Sequence, residues 1–306
     1  MIDCPEKGED PLTDDATTRS PDAGRSDRQG RHRAGPGALR RWVFRLLAMT
    51  LAPALVLGLL EVTLRVVGSG YPTDFYRKIP GRRAYTGNPR FGWRFFPRPL
   101  ARAQVMTSLP AEKPAGTFRI FVLGGSAAQG TPSPPYGFGR ILEVMLREQY
   151  PNASFEVVNA AMTAVNSHVV LPIARDCARR QPDLFVVYLG NNEVVGPFGA
   201  GTVFGGYSPS LAAVRASLWV KTTRIGQLLQ SGAAALAPAG ASADEWRGME
   251  MFLEQQVGPD DPKLSAVRAN FRRNLEDICD AGTGAGAKVV LATVAVNLKD
   301  CAPFAS

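Results

Sequence analysis

The segment Gly124-Gly125-Ser126-Ala127-Ala128-Gln129-Gly130 places a hydroxyl directly after two glycines that permit a sharp turn. A serine so presented can attack a carbonyl carbon. Backbone N–H groups nearby can then face the oxyanion that forms. Two further segments carry polar residues of the same kind: Asn159-Ala160-Ala161-Met162-Thr163-Ala164-Val165-Asn166-Ser167, and Gly190-Asn191-Asn192-Glu193. The carboxamide of Asn192 can donate to an oxyanion without itself carrying charge. Together these residue types point to acyl transfer. The first segment is not the G-x-S-x-G elbow, because Ala128 stands at the second glycine position. It is not a phosphate loop either, since no Gly-Lys-Ser/Thr follows. A dinucleotide fingerprint fails because Ser126 occupies the place of its second glycine.

To converge, these segments must leave strands at one edge of a sheet. Residues 118–123 form an apolar run closed by glycines, as expected of a buried parallel strand. A helix is predicted over 136–150, with Ile141, Leu142, Met145 and Leu146 on one face. A strand follows over 155–158, a helix over 166–180 and a strand over 184–189. The series closes with a helix over 263–280 and a strand over 288–294. Such alternation predicts an α/β fold, a parallel sheet covered on both faces. Between 196 and 262 the alternation stops. There Leu211, Val214, Leu218, Ile225 and Leu228 allow one amphipathic helix, and 245–257 another. This insertion leaves the sheet at its carboxyl edge, so a substrate-contacting cap and a packing subdomain both stand open.

Within 306 residues, 45% hydrophobic against 20% charged is enough for a packed core and excludes wholesale disorder. The formal charge of +8 does not point to nucleic acid. No aromatic-interleaved basic face or zinc-finger spacing accompanies it, and many arginines flank one apolar run instead. That run, 42–67, has the length of a membrane-spanning helix, with Arg45 and Arg65 near its ends and Pro53 and Glu61 inside it. Residues 1–41 read as a disordered cytoplasmic leader, because Arg25, Arg28, Arg31, Arg33, Arg40 and Arg41 precede the span. The remainder is then expected outside the cytoplasm, with 68–117 as a linker on the domain or membrane surface. Cys4, Cys177, Cys279 and Cys301 are too scattered for a disulfide scaffold and lack metal spacing. They read as ordinary thiols, with a bridge between two of the last three left open in an oxidising compartment.

Over residues 118–306 the pattern resembles the SGNH (GDSL-type) hydrolase superfamily, and its bacterial membrane-anchored members in particular. Ser126 matches the nucleophile of the first block, with GGS in place of the commoner GDS. Asn192 matches the oxyanion asparagine, in GNNE where GxND is usual. Ala164 stands where the second block has a glycine that lends its N–H to the oxyanion hole. The resemblance implies a flavodoxin-like three-layer fold and hydrolysis of esters or O-acyl groups without metal or cofactor. Its substrate would be an acylated small molecule, glycan or lipid, with specificity set in 196–262. The family's base, a histidine in a C-terminal Asp-x-x-His, has no counterpart. His32 lies in the leader, and His168 begins a helix, where a capping or surface role is expected. The last strand is followed only by Asn297-Leu298-Lys299-Asp300-Cys301-Ala302-Pro303-Phe304-Ala305-Ser306. The expectation is therefore a C-terminally incomplete, impaired serine hydrolase. The alternative is a non-catalytic envelope binding or scaffold module on the same fold.

Overall fold

The computed structural model describes residues 36–105, 108–236, 245–295 and 299. The leader up to residue 35, Cys4 and Cys301 lie outside the described residues. The chain divides into two units, residues 1–53 and 54–306. Helix α1 (Pro36–Val66) has 31 residues, and its stretch Arg40–Val66 is long and apolar enough to cross a membrane. Helix formation begins inside the segment expected to be disordered, at Pro36, where proline is tolerated because a first-turn N–H has no helical partner. Glu61, the acid within the apolar stretch, is not left unpaired. Its carboxylate pairs with Arg65 at 2.7 Å and accepts the backbone N–H groups of Arg224 and Ile225 at 2.9 and 3.0 Å.

Four strands form one parallel sheet in the order β5-β4-β6-β7: β4 (Thr117–Gly124), β5 (Ser154–Asn159), β6 (Leu184–Tyr188) and β7 (Lys288–Ala292). The first strand of the alternation lies inside the sheet, as in doubly wound folds of the flavodoxin kind. Side chains alternate between the two faces. Phe121, Leu123, Phe185 and Val187 face one way, in a core shared with α4 (Ser167–Ala178) and α7 (Lys263–Gly284) through Val169, Val170, Ile173 and Ile278. Val122, Val186 and Tyr188 face the other way, towards the short α2 (Ser126–Gln129) and α3 (Phe138–Gln149) through Ala128 and Phe138. The result is three layers.

The segment 68–117 is not a surface linker. It folds into an antiparallel sheet of β1 (Tyr76–Lys78), β2 (Ala84–Gly87) and β3 (Ser108–Pro110). Phe75, Tyr76, Phe91, Phe95, Phe96, Leu100 and Leu109 enter the same core as Phe121 and Phe185. The Phe75 and Phe91 rings meet edge to face at 5.1 Å, and Asp176 of α4 accepts the Tyr76 N–H at 2.8 Å. Aromatic rings bury large areas without needing a regular period, and so an aperiodic stretch can still be core.

The insertion also departs from expectation. Two helices replace the single one, α5 (Leu211–Val220) and α6 (Arg224–Leu236), separated at Lys221-Thr222-Thr223. The threonine hydroxyls at 222 and 223 bond back to the carbonyls of Trp219 and Val220, at 2.6 and 2.7 Å, which suits a turn. Residues 245–257 hold only a 3-10 turn, Gly248–Phe252, in place of the predicted helix. Phe204, Val214, Leu218, Met251 and Phe252 join the main core, so this part of the insertion packs.

At the amino edge of the sheet, Arg119 of β4 is 0% exposed. Its Nε donates to Glu156 at 2.5 Å and a terminal nitrogen donates to the Arg180 carbonyl at 2.7 Å. Its backbone N–H donates to Asp183 at 2.6 Å, and Lys113 pairs with Asp183 at the same distance.

Candidate active site

The three polar segments do leave the sheet at one edge, the carboxyl ends of β4, β5 and β6. Ser126 opens α2, half-buried, directly after Gly124 and Gly125. Gly124 has φ +157°, and a side chain there would strike the Tyr188 carbonyl oxygen of β6. Gly125 faces Asn192. A Cβ at 125 would stand 2.8 Å from Asn192 Nδ2 and 3.5 Å from the Val165 carbonyl oxygen. Asn192 Nδ2 in turn donates to that Val165 oxygen at 2.9 Å. The carboxamide has two N–H bonds, and this contact uses one. The turn before Ser126, the 159–167 segment and Asn192 therefore meet at one point.

Ala164 lies in this junction, with φ +61°. Left-handed backbone favours glycine because it brings Cβ against a carbonyl oxygen. The position therefore asks for the residue that the resemblance expects and carries alanine instead. Among the described residues, neither the backbone N–H of Ser126 nor that of Ala164 has a hydrogen-bond acceptor, and the Ser126 hydroxyl makes no bond.

Other side chains that tie the segments together were not singled out from the sequence. Asn159 Nδ2 donates to the carbonyls of Ala128 and Gln129, both at 3.2 Å. Gln129 Oε1 accepts the Thr163 hydroxyl at 2.5 Å. Glu193, next to Asn192, accepts the Ser167 N–H at 2.8 Å and the Ser167 hydroxyl at 2.7 Å, so it caps α4 in place of the N-cap residue Asn166. Burial pushes the Glu193 carboxyl up to about 7, against the hydrogen bonds from Ser167. Strand-end asparagine and a following carboxylate were the sequence signal for this pairing, but its partner lies 26 residues away.

His168 is buried, contrary to the surface role expected for it. Its Nδ1 is 3.0 Å from Asn274 Nδ2, which makes that nitrogen the acceptor. Burial, with the nearby Arg215 guanidinium, pulls its pKa down to about 4. It lines a small cavity with Arg94, Arg175 and Arg215, a cavity that Ser126 does not line. A larger cavity, about 690 Å³, lies beside α2 and is lined by Ala127, Gly130, Tyr136, Phe138, Tyr188 and Ala292. Ser126 and Asn192 do not line it, although Ala127 does. Cys177 and Cys279 are free thiols. Burial pushes both up, and Asp176 and Asp280 beside them act in the same direction.

No protein-family model matches the chain, and no curated protein matches it. Among solved structures it is similar to AlinE4, an SGNH-hydrolase family esterase, at 18% identity, 58% coverage of this chain, 77% of that chain and a TM-score of 0.25. It is similar also to TesA, at 16% identity, 56% and 76% coverage and a TM-score of 0.27. Neither likeness assigns a role to a residue here.

Proposed function

We propose that this chain is a membrane-anchored serine hydrolase of the SGNH kind, acting on ester or O-acyl groups of a small molecule, glycan or lipid. The observation that carries the reading is the packing of the Asn192 carboxamide against Gly125, one residue before Ser126. In this reading Ser126 Oγ attacks the acyl carbon. The Ser126 N–H, the Ala164 N–H and the spare Asn192 N–H receive the oxyanion. The alcohol then leaves carrying the proton lost by Ser126, and water releases the acyl group as its acid and restores the Ser126 hydroxyl. α1 crosses the membrane with the arginine-rich side in the cytoplasm.

The 306 residues contain no Asp-x-x-His. His168 already accepts a bond from Asn274 and is held neutral. In a polypeptide of these 306 residues alone the hydroxyl of Ser126 is thus expected to attack slowly, at a residual rate on the order of 10³–10⁴ above water, supplied by oxyanion stabilisation and binding. A fluorophosphonate probe tests this on the full chain. Faint labelling that disappears in Ser126→Ala is expected. Equal labelling of both proteins sinks the nucleophile, and strong labelling sinks the expectation of slow turnover. If Ser126→Ala binds acylated ligands as the parent does and the parent hydrolyses none of them, the binding-module alternative takes over. Protease protection of the C-terminal part in spheroplasts would overturn the orientation.

A further inference from the structure

Helix α6 is amphipathic the wrong way round for a helix covering a water-soluble domain. Its polar side chains face the protein. Gln227 is 3% exposed, accepts the Tyr71 N–H at 2.8 Å and donates to the Tyr71 carbonyl at 3.1 Å. Gln230 donates to the Trp93 carbonyl at 3.3 Å, and Arg98 donates to the Ser231 hydroxyl at 3.4 Å. The apolar side chains point away. Leu229 is 65% exposed and Leu236 is 88% exposed, with Leu228 also on the outside. At the end of α5, just before the turn into α6, Trp219 is 68% exposed.

The place of this face names what it meets. The first two N–H groups of α6 are bonded to Glu61 of α1, and Arg224 also donates to the Tyr71 carbonyl. Glu61 lies five residues before the end of α1 at Val66, about 7.5 Å along the helix axis. The start of α6 is therefore held level with the last turns of α1, where Val62 and Val66 are themselves exposed. From Leu211 to Leu236 there is no Asp or Glu. Arg215 is paired with Asp277 at 2.6 Å and Lys221 donates to the Arg94 carbonyl, so the cations to consider beside this face are exposed arginines of the preceding segment. Arg90 and Arg98 sit over the Trp93 ring at 5.1 and 4.8 Å. An outward apolar face, an indole and flanking cations are the parts of a helix that lies in a bilayer surface.

We propose that α6, with the end of α5, lies in the lipid–water interface beside α1, Leu228, Leu229 and Leu236 entering the acyl boundary and the surrounding cations meeting anionic headgroups. The inference rests on α1 being the span. It explains why an acid sits within an apolar stretch: Glu61 is the joint between the spanning helix and the interfacial one.

The test uses the full chain in vesicles of phosphatidylcholine and phosphatidylglycerol, with Cys4, Cys279 and Cys301 replaced by serine and the fully buried Cys177 kept out of reach of the label. Single cysteines are placed at 55 in α1, at 229 and 236 on the outer face of α6, and at 231 on its inner face. Each carries a bimane, read by quenching from doxyl-labelled lipid. Loss of emission at 55, 229 and 236, with little at 231, is expected. Quenching at 55 with 229 and 236 no more quenched than 231 overturns the interfacial helix and leaves the span standing; a protein partner or second copy covering that face would read this way. No quenching at 55 removes the span, and the interfacial helix with it.

Discussion

The two ends of β4 are built to opposite rules. At the amino end, Arg119 is fully buried, and Glu156, Asp183 and the Arg180 carbonyl take up its donors at 2.5–2.7 Å. At the carboxyl end, nine residues' span away from Thr117, Ser126 has a hydroxyl and an N–H without acceptors among the described residues. The backbone there runs through φ +157° at Gly124 and +61° at Ala164. A satisfied buried network fixes structure. Unspent donors and strained backbone are where ligands are met in parallel α/β sheets. One strand therefore carries the anchor of the fold at one end and the candidate chemistry at the other, and substitutions at the two ends should separate stability from activity.

The largest expected effect is at the amino end. Glu156→Gln leaves the Arg119 guanidinium buried without its counter-charge, and should cost about 3–5 kcal/mol in a denaturant titration. At the carboxyl end, Asn192→Ala should lower Ser126-dependent hydrolysis of p-nitrophenyl acetate on the order of 10²–10³-fold while the unfolding midpoint barely moves. An equal loss of stability and rate would erase the contrast between the ends. Gly125→Ala puts a Cβ 2.8 Å from the Asn192 amide, and the shift of about 1 Å that restores ordinary contact should reduce the same rate by about 10²-fold.

Acidity offers a gentler probe. The Glu193 carboxyl binds its proton more tightly in the folded chain, up to about 7, than at the ordinary 4.5. The native state then holds the extra proton between those values, so stability falls as pH rises from about 4.5 to 7 and is level above. Glu193→Gln should lack that slope when urea midpoints are compared across the range. The smallest effect is expected at Ala164→Gly, which relieves left-handed backbone and should add about 1 kcal/mol. A loss of stability there would mean that the alanine methyl contributes packing that outweighs the strain.

The central strands and their polar ends were legible because a parallel strand is an apolar run bounded by turn residues. Residues 118–123 and 184–189 needed no partner to be recognised. The fold class and the neighbourhood of Ser126 followed from those runs. Other features depend on distant partners. Phe75 and Phe91 are core only because they find each other and, through Tyr76, reach Phe121, by contacts that no local period encodes. Arg119 looks like an ordinary exposed strand residue until Glu156 and the Arg180 carbonyl supply its bonds. His168, at a helix start, suits a cap or surface position by sequence, and its burial comes from Asn274 on α7 and Phe198 in the insertion. The break between α5 and α6 was visible in principle, because Thr222 and Thr223 sit where a helix would have had to continue.

The burial of Tyr71 and Phe75 so soon after α1 sets a very short leash. From Val66 to Tyr71 the backbone reaches at most about 17 Å. Were α1 set in a bilayer as proposed, a domain on such a tether would have little room to drift from its surface. Ser126 would work at one altitude above its moorings, and acyl groups carried deeper or farther out would have to travel to it.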